Sequence, residues 1–341
     1  MEKRRFALIG AGLFGEVHAG VYGAHPSAEF AAVCDINAPR AAEVASRYGA
    51  ARSCSDWREI AADDSIDAVS VATPDFAHTE IAVAVAKAGK HVLVEKPLAT
   101  TVAECEQIVA AARSAGVKLM VDFHTRWSPA FHEVWSWIQS GAMGAPRLVY
   151  DRRSNTTYVP FKMLSWASKS SVLWFLGSHS IDIVCWLIGE WPHRVYSVSR
   201  REILKGRGVD TPDSFQSILE FPGGAVAHIE NCWLLPESAP HVVDVKTEII
   251  GTKAAAYIDT TSNRALEVDG ESGVRYVDLM GGPVVHGRKT GFVTESIKHF
   301  VECVVEDKQP LVTGEVGLEV TRVACAIEQS AATGLPVDIS R

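Results

Sequence analysis

The stretch Phe6-Ala7-Leu8-Ile9-Gly10-Ala11-Gly12-Leu13-Phe14-Gly15 decides how the first third of the chain folds. Four apolar residues read as a buried strand, a G-x-G-x-x-G follows without a spacer, and Glu16 to Tyr22 has helical composition. Strand, glycine-rich turn and helix in this order make the start of a dinucleotide-binding βαβ unit. Gly10 permits the tight turn, Gly12 leaves room for a pyrophosphate at the backbone, and Gly15 lets the helix lie close to the strand. With Leu13 and Phe14 they form the expected phosphate cradle, at a helix N-terminus whose free N–H groups and dipole favour an anion.

The residues that follow extend the same pattern. Glu29 to Asp35 reads as a second strand, and Asp35 lies 20 residues after Gly15, where a carboxylate that binds the adenosine ribose belongs. With Ile36 beside it, Asp35 favours NAD over NADP, because a 2′-phosphate would meet like charge; Arg40 nearby is the residue type that accommodates such a phosphate. A helix is expected over Pro39 to Tyr48. A strand over Ile66 to Ala72 leads into Thr73-Pro74-Asp75-Phe76-Ala77-His78, and a helix from about Thr79 to Ala88 stops at Gly89 as a left-handed cap. His91 to Val94 is the next strand and delivers Glu95-Lys96-Pro97. Thr101 and Glu104 have capping-box spacing for a helix ending near Gly116, and Val117 to Asp122 is a further strand. Alternation of strand and helix predicts a doubly wound parallel sheet over 1–122. Thr73, Pro74, His78, Glu95 and Lys96 fall at the carboxyl ends of its strands, where ligands bind.

Residues 123–341 read differently, as an α+β domain with a large, mostly antiparallel open sheet. Pro129 to Gln139 is a Trp-rich helix, Arg147 to Arg153 a strand, and Ser171 to Ile188 one long apolar helix. Strands then follow one another near Arg194–Glu202, Ser214–Phe221, Ala225–Trp233, Val242–Gly251, Ala254–Asp259, Ala265–Val268 and Arg275–Leu279, with hairpin turns at Pro222-Gly223-Gly224 and Asp269–Gly273. Helices over 291–308 and 315–333 close the chain.

Composition narrows the class. A length of 341 residues favours two domains, and 47% hydrophobic with 22% charged residues is globular. The net charge of −8 disfavours nucleic acid and anionic membranes as partners. No run approaches the roughly 20 apolar residues of a membrane span. The apolar stretch after the basic start is too short for a signal peptide. Seven scattered cysteines without C-x-x-C predict reduced thiols in the cytoplasm, and no metal-ligand cluster stands out among the 12 histidines.

From Glu95-Lys96-Pro97, the N-terminal fingerprint and Ala72-Thr73-Pro74…His78, the chain resembles the glucose–fructose oxidoreductase / inositol dehydrogenase / rhizopine-catabolism (Gfo/Idh/MocA) family. Gly177-Ser178-His179-Ser180-Ile181-Asp182 is similar to the family's G-x-H-x-x-D helix, and Phe300…Pro310…Ala326-Ile327…Ser330…Gly334 to its closing pattern. The resemblance implies a nicotinamide cofactor, a substrate-carrying second domain that forms oligomers (homodimer or homotetramer), a cis bond before Pro97, and sugar or cyclic polyol substrates. It marks Lys96 and His179 as catalytic and Arg126 as substrate-binding.

Elementary chemistry agrees with these roles. A lysine ammonium stabilises an alkoxide as hydride leaves, and a histidine takes the hydroxyl proton. The sequence also departs from the family. Phe175 stands where its dehydrogenases carry Asp, four residues before the histidine, and His124 stands where Asn is frequent. Phe175 cannot accept a proton, and an apolar wall of Phe175 with Trp166 or Trp174 suits the C–H face of a sugar. Asp182 can orient His179 or serve packing. Arg153, Tyr158 and Lys162 are weaker candidates. Three functions stay open: a sugar or polyol dehydrogenase, a redox-neutral enzyme that cleaves a glycoside through transient oxidation, and a non-catalytic nicotinamide-binding regulator.

Overall fold

The apolar run at the N-terminus forms β1 (Arg4–Ile9), whose Phe6, Ala7 and Leu8 are wholly buried. A strand apolar on both faces belongs inside a parallel sheet with helices on both sides. A computed structural model of the chain describes residues 3–261, 265–270 and 273–340, and shows that sheet. After α1 (Leu13–Ala24) come β2 (Ala28–Cys34), α2 (Ala38–Tyr48), β3 (Arg52–Cys54), the one-turn α3 (Arg58–Ala61), β4 (Ala68–Val71), α4 (His78–Lys87), β5 (His91–Val94), α5 (Val102–Ala115) and β6 (Leu119–Val121). The strands are all parallel, in the order β3-β2-β1-β4-β5-β6. Strand order reverses between β1 and β4, which opens a crevice at their carboxyl ends.

Local chemistry sets the helix ends. Asn37 caps α2 by accepting from Arg40 N at 3.2 Å, and Thr101 caps α5 by accepting from Glu104 N at 3.3 Å. Gly49, Gly89 and Gly116 terminate their helices in the left-handed region, as expected for Gly89.

The chain forms two compact units, one of 1–124 with 281–321 and one of 125–280 with 322–341. They therefore do not follow a single cut after residue 122. In the first unit α9 (Phe292–Val305) packs on α1, and Phe300 meets Phe6 edge-on at 6.2 Å between ring centroids. Helix α10 (Gly314–Thr333) begins there too: a Cβ on Gly314 would lie 2.2 Å from Leu119, and one on Gly317 2.7 Å from Val121.

The second unit begins with α6 (Pro129–Gln139) and β7 (Pro146–Thr156), followed by α7 (Ser178–Ile188) and β8 (Arg194–Arg200). After α8 (Ile203–Gly206) it continues with β9 (Ser214–Glu220), β10 (Val226–Leu235), β11 (Val243–Gly251) and β12 (Ala255–Asp259). Two short hairpins follow in the chain, β13 (Glu267–Gly270) with β14 (Gly273–Tyr276), and β15 (Val284–Val285) with β16 (Arg288–Lys289). Of the turn expected over Asp269–Gly273, positions 271–272 lie outside the described residues. With β17 (Val337–Asp338), the large sheet has the order β12-β11-β7-β10-β9-β8-β17. It is antiparallel except for the β7–β10 pair. Burial alternates along its strands: α7 packs on β7 and β10 on one face, while Leu148, Tyr196, Ile218, Val226, Ile250 and Tyr257 are exposed on the other.

The expected helix over Ser171 to Ile188 is two pieces. Leu173–Gly177 winds as a π-helical turn, and α7 starts only at Ser178. A Cβ on Gly177 would sit 2.7 Å from Asn231 Oδ1, so a β10 side chain fills the space beside this glycine. The wider turn also removes the regular 100° step per residue on which Phe175 and His179 would share a helix face.

Candidate active site

In the first unit the residues expected to bind the cofactor lie at the β1–β4 crevice. Gly10 has φ +97°, and a Cβ there would lie 2.5 Å from Ala72 O; one on Gly15 would lie 2.0 Å from Gly10 O. Both positions exclude a side chain on grounds internal to the fold. Gly12 is different, because a Cβ there meets nothing within 4 Å. The space over it is open, as a pyrophosphate requires. Thr73 Oγ1 is buried without a hydrogen-bond partner among the described residues. Leu13, Phe14 and Ile36 expose apolar side chains, Ile36 at 95%. An open glycine, an orphaned hydroxyl and exposed apolar side chains together fit a dinucleotide.

Asp35 is fixed by two backbone donors, Ala11 N to Oδ2 at 2.7 Å and Asn37 N to Oδ1 at 2.8 Å. Each oxygen keeps a lone pair for a ribose hydroxyl. Arg40 is already engaged: Nε donates to Ala11 O at 2.8 Å, and the guanidinium pairs with Glu16 and Glu43, both at 2.9 Å.

His78 braces two turns, its ring nitrogens lying 2.8 Å from Pro97 O and 2.9 Å from Thr73 O. Pro74 begins the turn between them. The Lys96–Pro97 bond is cis. Lys96 is the second residue after β5 and is 9% exposed. Burial lowers its pKa, and the negative charges of Glu95, Asp75 and Asp122 oppose that fall without cancelling it. Phe14 stacks on His124 at 6.0 Å, and His124 meets Phe292 at 5.8 Å.

The structure adds a cluster that the sequence did not single out. His18 on α1 is fully buried, with Nδ1 2.9 Å from Ser70 Oγ and Nε2 3.0 Å from Glu95 Oε1. Asp122 Oδ2 is 3.8 Å from the same Nε2, and Tyr22 hydrogen-bonds Ser70. The available signal was that Glu95 and Asp122 both end parallel strands at the same edge of the sheet.

In the second unit His179 is buried in the first turn of α7. Asp182 does not stand free beside it. Its carboxylate takes the Arg126 guanidinium at 2.6 Å from Nη2 and 3.1 Å from Nε, and Arg126 also lies over the Trp186 ring at 5.5 Å. The expected substrate arginine is thus held in a buried ion pair. Burial raises the Asp182 pKa above the ordinary carboxylate value, against the pull of Arg126 and Arg153.

Phe175 is half-buried and packs on Trp233 at 5.9 Å between centroids. Arg153 is buried between Asp151 and Thr125, Lys162 pairs with Glu237 at the surface, Tyr158 is exposed, and Trp166 is half-buried before a single 3-10 turn.

Residues 4–123 match the oxidoreductase family with an NAD-binding Rossmann fold, and residues 131–257 match the GFO/IDH/MocA C-terminal domain. The chain is 32% identical to the levoglucosan dehydrogenase of Pseudarthrobacter phenanthrenivorans over 67% of each chain. It is 30% identical to inositol 2-dehydrogenase 2 of Saccharopolyspora erythraea, over 98% of this chain and 95% of that one. A solved levoglucosan dehydrogenase in complex with NADH and L-sorbose superposes with a TM-score of 0.85 at 27% identity, covering 99% of both chains. No helix among the described residues is long and apolar enough to cross a membrane. With its NAD-binding Rossmann domain and matching C-terminal domain, the chain belongs to the Gfo/Idh/MocA family of oxidoreductases.

Proposed function

We propose that the protein is an NAD-dependent dehydrogenase of a sugar, a sugar derivative or an inositol-like cyclic polyol, acting on a CH–OH carbon. The observation that carries this reading is Lys96, a nearly buried lysine at the carboxyl end of a Rossmann strand, held among carboxylates. Water is largely kept from its ammonium, so its charge acts strongly on an oxygen that becomes negative. Bound nicotinamide supplies the hydride acceptor. Lys96 stabilises the alkoxide of the reacting hydroxyl, and His179 takes its proton and returns it in the reverse direction. Arg126 acts through its pair with Asp182, as a brace of the α7 start. The names of the two relatives, a levoglucosan and an inositol dehydrogenase, support the substrate class.

NAD is preferred over NADP in this reading. Asp35 would face a 2′-phosphate, and Arg40 is neutralised by Glu16 and Glu43. The exposed apolar side chains on the open face of the large sheet support a homodimer or homotetramer built through that face. The thiols are reduced, and the enzyme works in the cytoplasm.

The test is a spectrophotometric screen for NADH across free sugars, inositols, sugar acids and aryl glycosides. Net NADH from a free sugar or polyol is expected. Release of an aglycone without net NADH would replace this reading with redox-neutral glycoside cleavage. No turnover on any class, with tight NAD binding, would favour a regulator.

A further inference from the structure

The buried cluster beside Lys96 carries more charge than a structural network needs. Tyr22 and His18 come from α1, Ser70 from β4, Glu95 and Lys96 from the end of β5, Asp122 from the end of β6, and Ser296 from α9. His18, Ser70, Tyr22 and Asp122 are each at most 1% exposed, and Glu95 6%. Glu95 is an acceptor when ionised, so His18 donates Nε2–H to it; His18 Nδ1 lies 2.9 Å from the Ser70 hydroxyl, which is also hydrogen-bonded to Tyr22. Glu95 Oε2 also accepts from Lys96 N at 3.3 Å.

Asp122 is the residue this chain leaves over. Among the described residues its Oδ1 has no hydrogen-bond partner. An ionised carboxylate so placed is costly next to a second carboxylate unless a cation is close. Burial first, then the charge of Glu95, pushes the Asp122 pKa up to about 7, against His18, Ser296 and Lys96. Burial also pushes Glu95 up, but the hydrogen bond and charge of His18, with Lys96 and His124, outweigh it and leave Glu95 below its ordinary value. Asp122 therefore keeps its proton up to near neutral pH, while Glu95 is ionised beside it.

We propose that Asp122 is a positioning residue for the reaction: with Glu95, the two carboxylates 3.8 and 3.0 Å from His18 Nε2 at the carboxyl ends of adjacent strands, it forms a buried acidic pair whose negative charge acts on the Lys96 amine and keeps it cationic. Burial alone drives that amine toward its neutral form, in which it cannot stabilise an alkoxide. The groups that act on Lys96 are Glu95, Asp75 and Asp122. As Asp122 gives up its proton with rising pH, its charge strengthens and holds the Lys96 proton to higher pH. This rests on the role given to Lys96 above, and the test separates the two.

The test follows the ε-carbon resonance of Lys96 across a pH titration of the full-length protein made with isotope-labelled lysine, assigned by Lys96→Arg. Asp122→Asn keeps shape and removes charge; it is expected to lower the Lys96 midpoint by about one pH unit. The basic limb of kcat/KM should move down by the same amount, since that limb reports the free enzyme. Glu95→Gln removes the other carboxylate and should act in the same direction, which keeps the test open if one variant does not fold. A Lys96 midpoint that neither variant moves overturns the inference, even if the rate profile shifts. A midpoint that moves while the rate profile stays fixed upholds the cluster's effect on Lys96 and sinks the catalytic role of Lys96.

Discussion

The residues expected to bind the cofactor in the first unit and the α7 residues of the second are fixed by different means. At the cofactor crevice the backbone does the work: Gly10 and Gly15 admit no Cβ, and Asp35 is held by two main-chain N–H groups. Around α7 the work is done by side chains distant in sequence, Arg126 with Asp182 and Phe175 with Trp233. Backbone constraints leave a local trace in the sequence, whereas paired side chains leave one only when both partners are known. The first region should therefore fail all at once when changed, and the second by degrees.

Gly15→Ala gives the largest expected effect. Its Cβ would fall 2.0 Å from a backbone oxygen, so folded protein and NAD binding should be lost together, as read by circular dichroism and calorimetry. Gly12→Ala sharpens the contrast inside the same motif. Its Cβ meets no protein atom, so the melting temperature should hold while NAD affinity falls by about tenfold or more. A Gly12→Ala protein that binds NAD normally would show that the pyrophosphate does not approach there.

In the second unit, Asp182→Asn leaves the Arg126 guanidinium buried without a counter-charge. Breaking such a pair costs roughly 3–5 kcal/mol, measurable by denaturant unfolding. A loss below about 1 kcal/mol would mean that water or another group takes over, as for an exposed pair.

Phe175→Asp places a carboxylate against Trp233. It should weaken the native substrate and turn preference toward a more polar polyol by about tenfold in kcat/KM. An unchanged specificity profile would reduce Phe175 to packing. Asp35→Ala has the smallest effect: it should narrow the NAD over NADP preference by severalfold, about 1 kcal/mol. Equal preference in the unaltered protein would show that a cation other than the engaged Arg40 meets the phosphate.

The same contrast explains what the sequence made legible. The glycine fingerprint, the Thr101 cap and the strand-end Glu95-Lys96-Pro97 are contiguous, so their geometry could be anticipated residue by residue. The break in the helix before His179 could not, nor could the packing of Asn231, 54 positions further on, beside Gly177. Nor could the membership of 281–321 in the first unit, which rests on Phe300 meeting Phe6. Nothing in the local sequence marks His18; it is the parallel topology that brings Glu95 and Asp122 to its Nε2. Asp182 was read with His179 on helical spacing alone, and its partner proved to be an arginine from the segment before α6.

The central claim is that Lys96 and His179 perform the chemistry on a hydroxyl-bearing carbon. Its most direct test is steady-state turnover of Lys96→Met and His179→Ala on the best substrate from the NADH screen, with NAD affinity measured alongside by calorimetry. Turnover that falls by about 10²-fold or more in each variant, with NAD affinity within a few-fold of the parent, is the predicted result. Near-normal turnover in both variants would contradict the account.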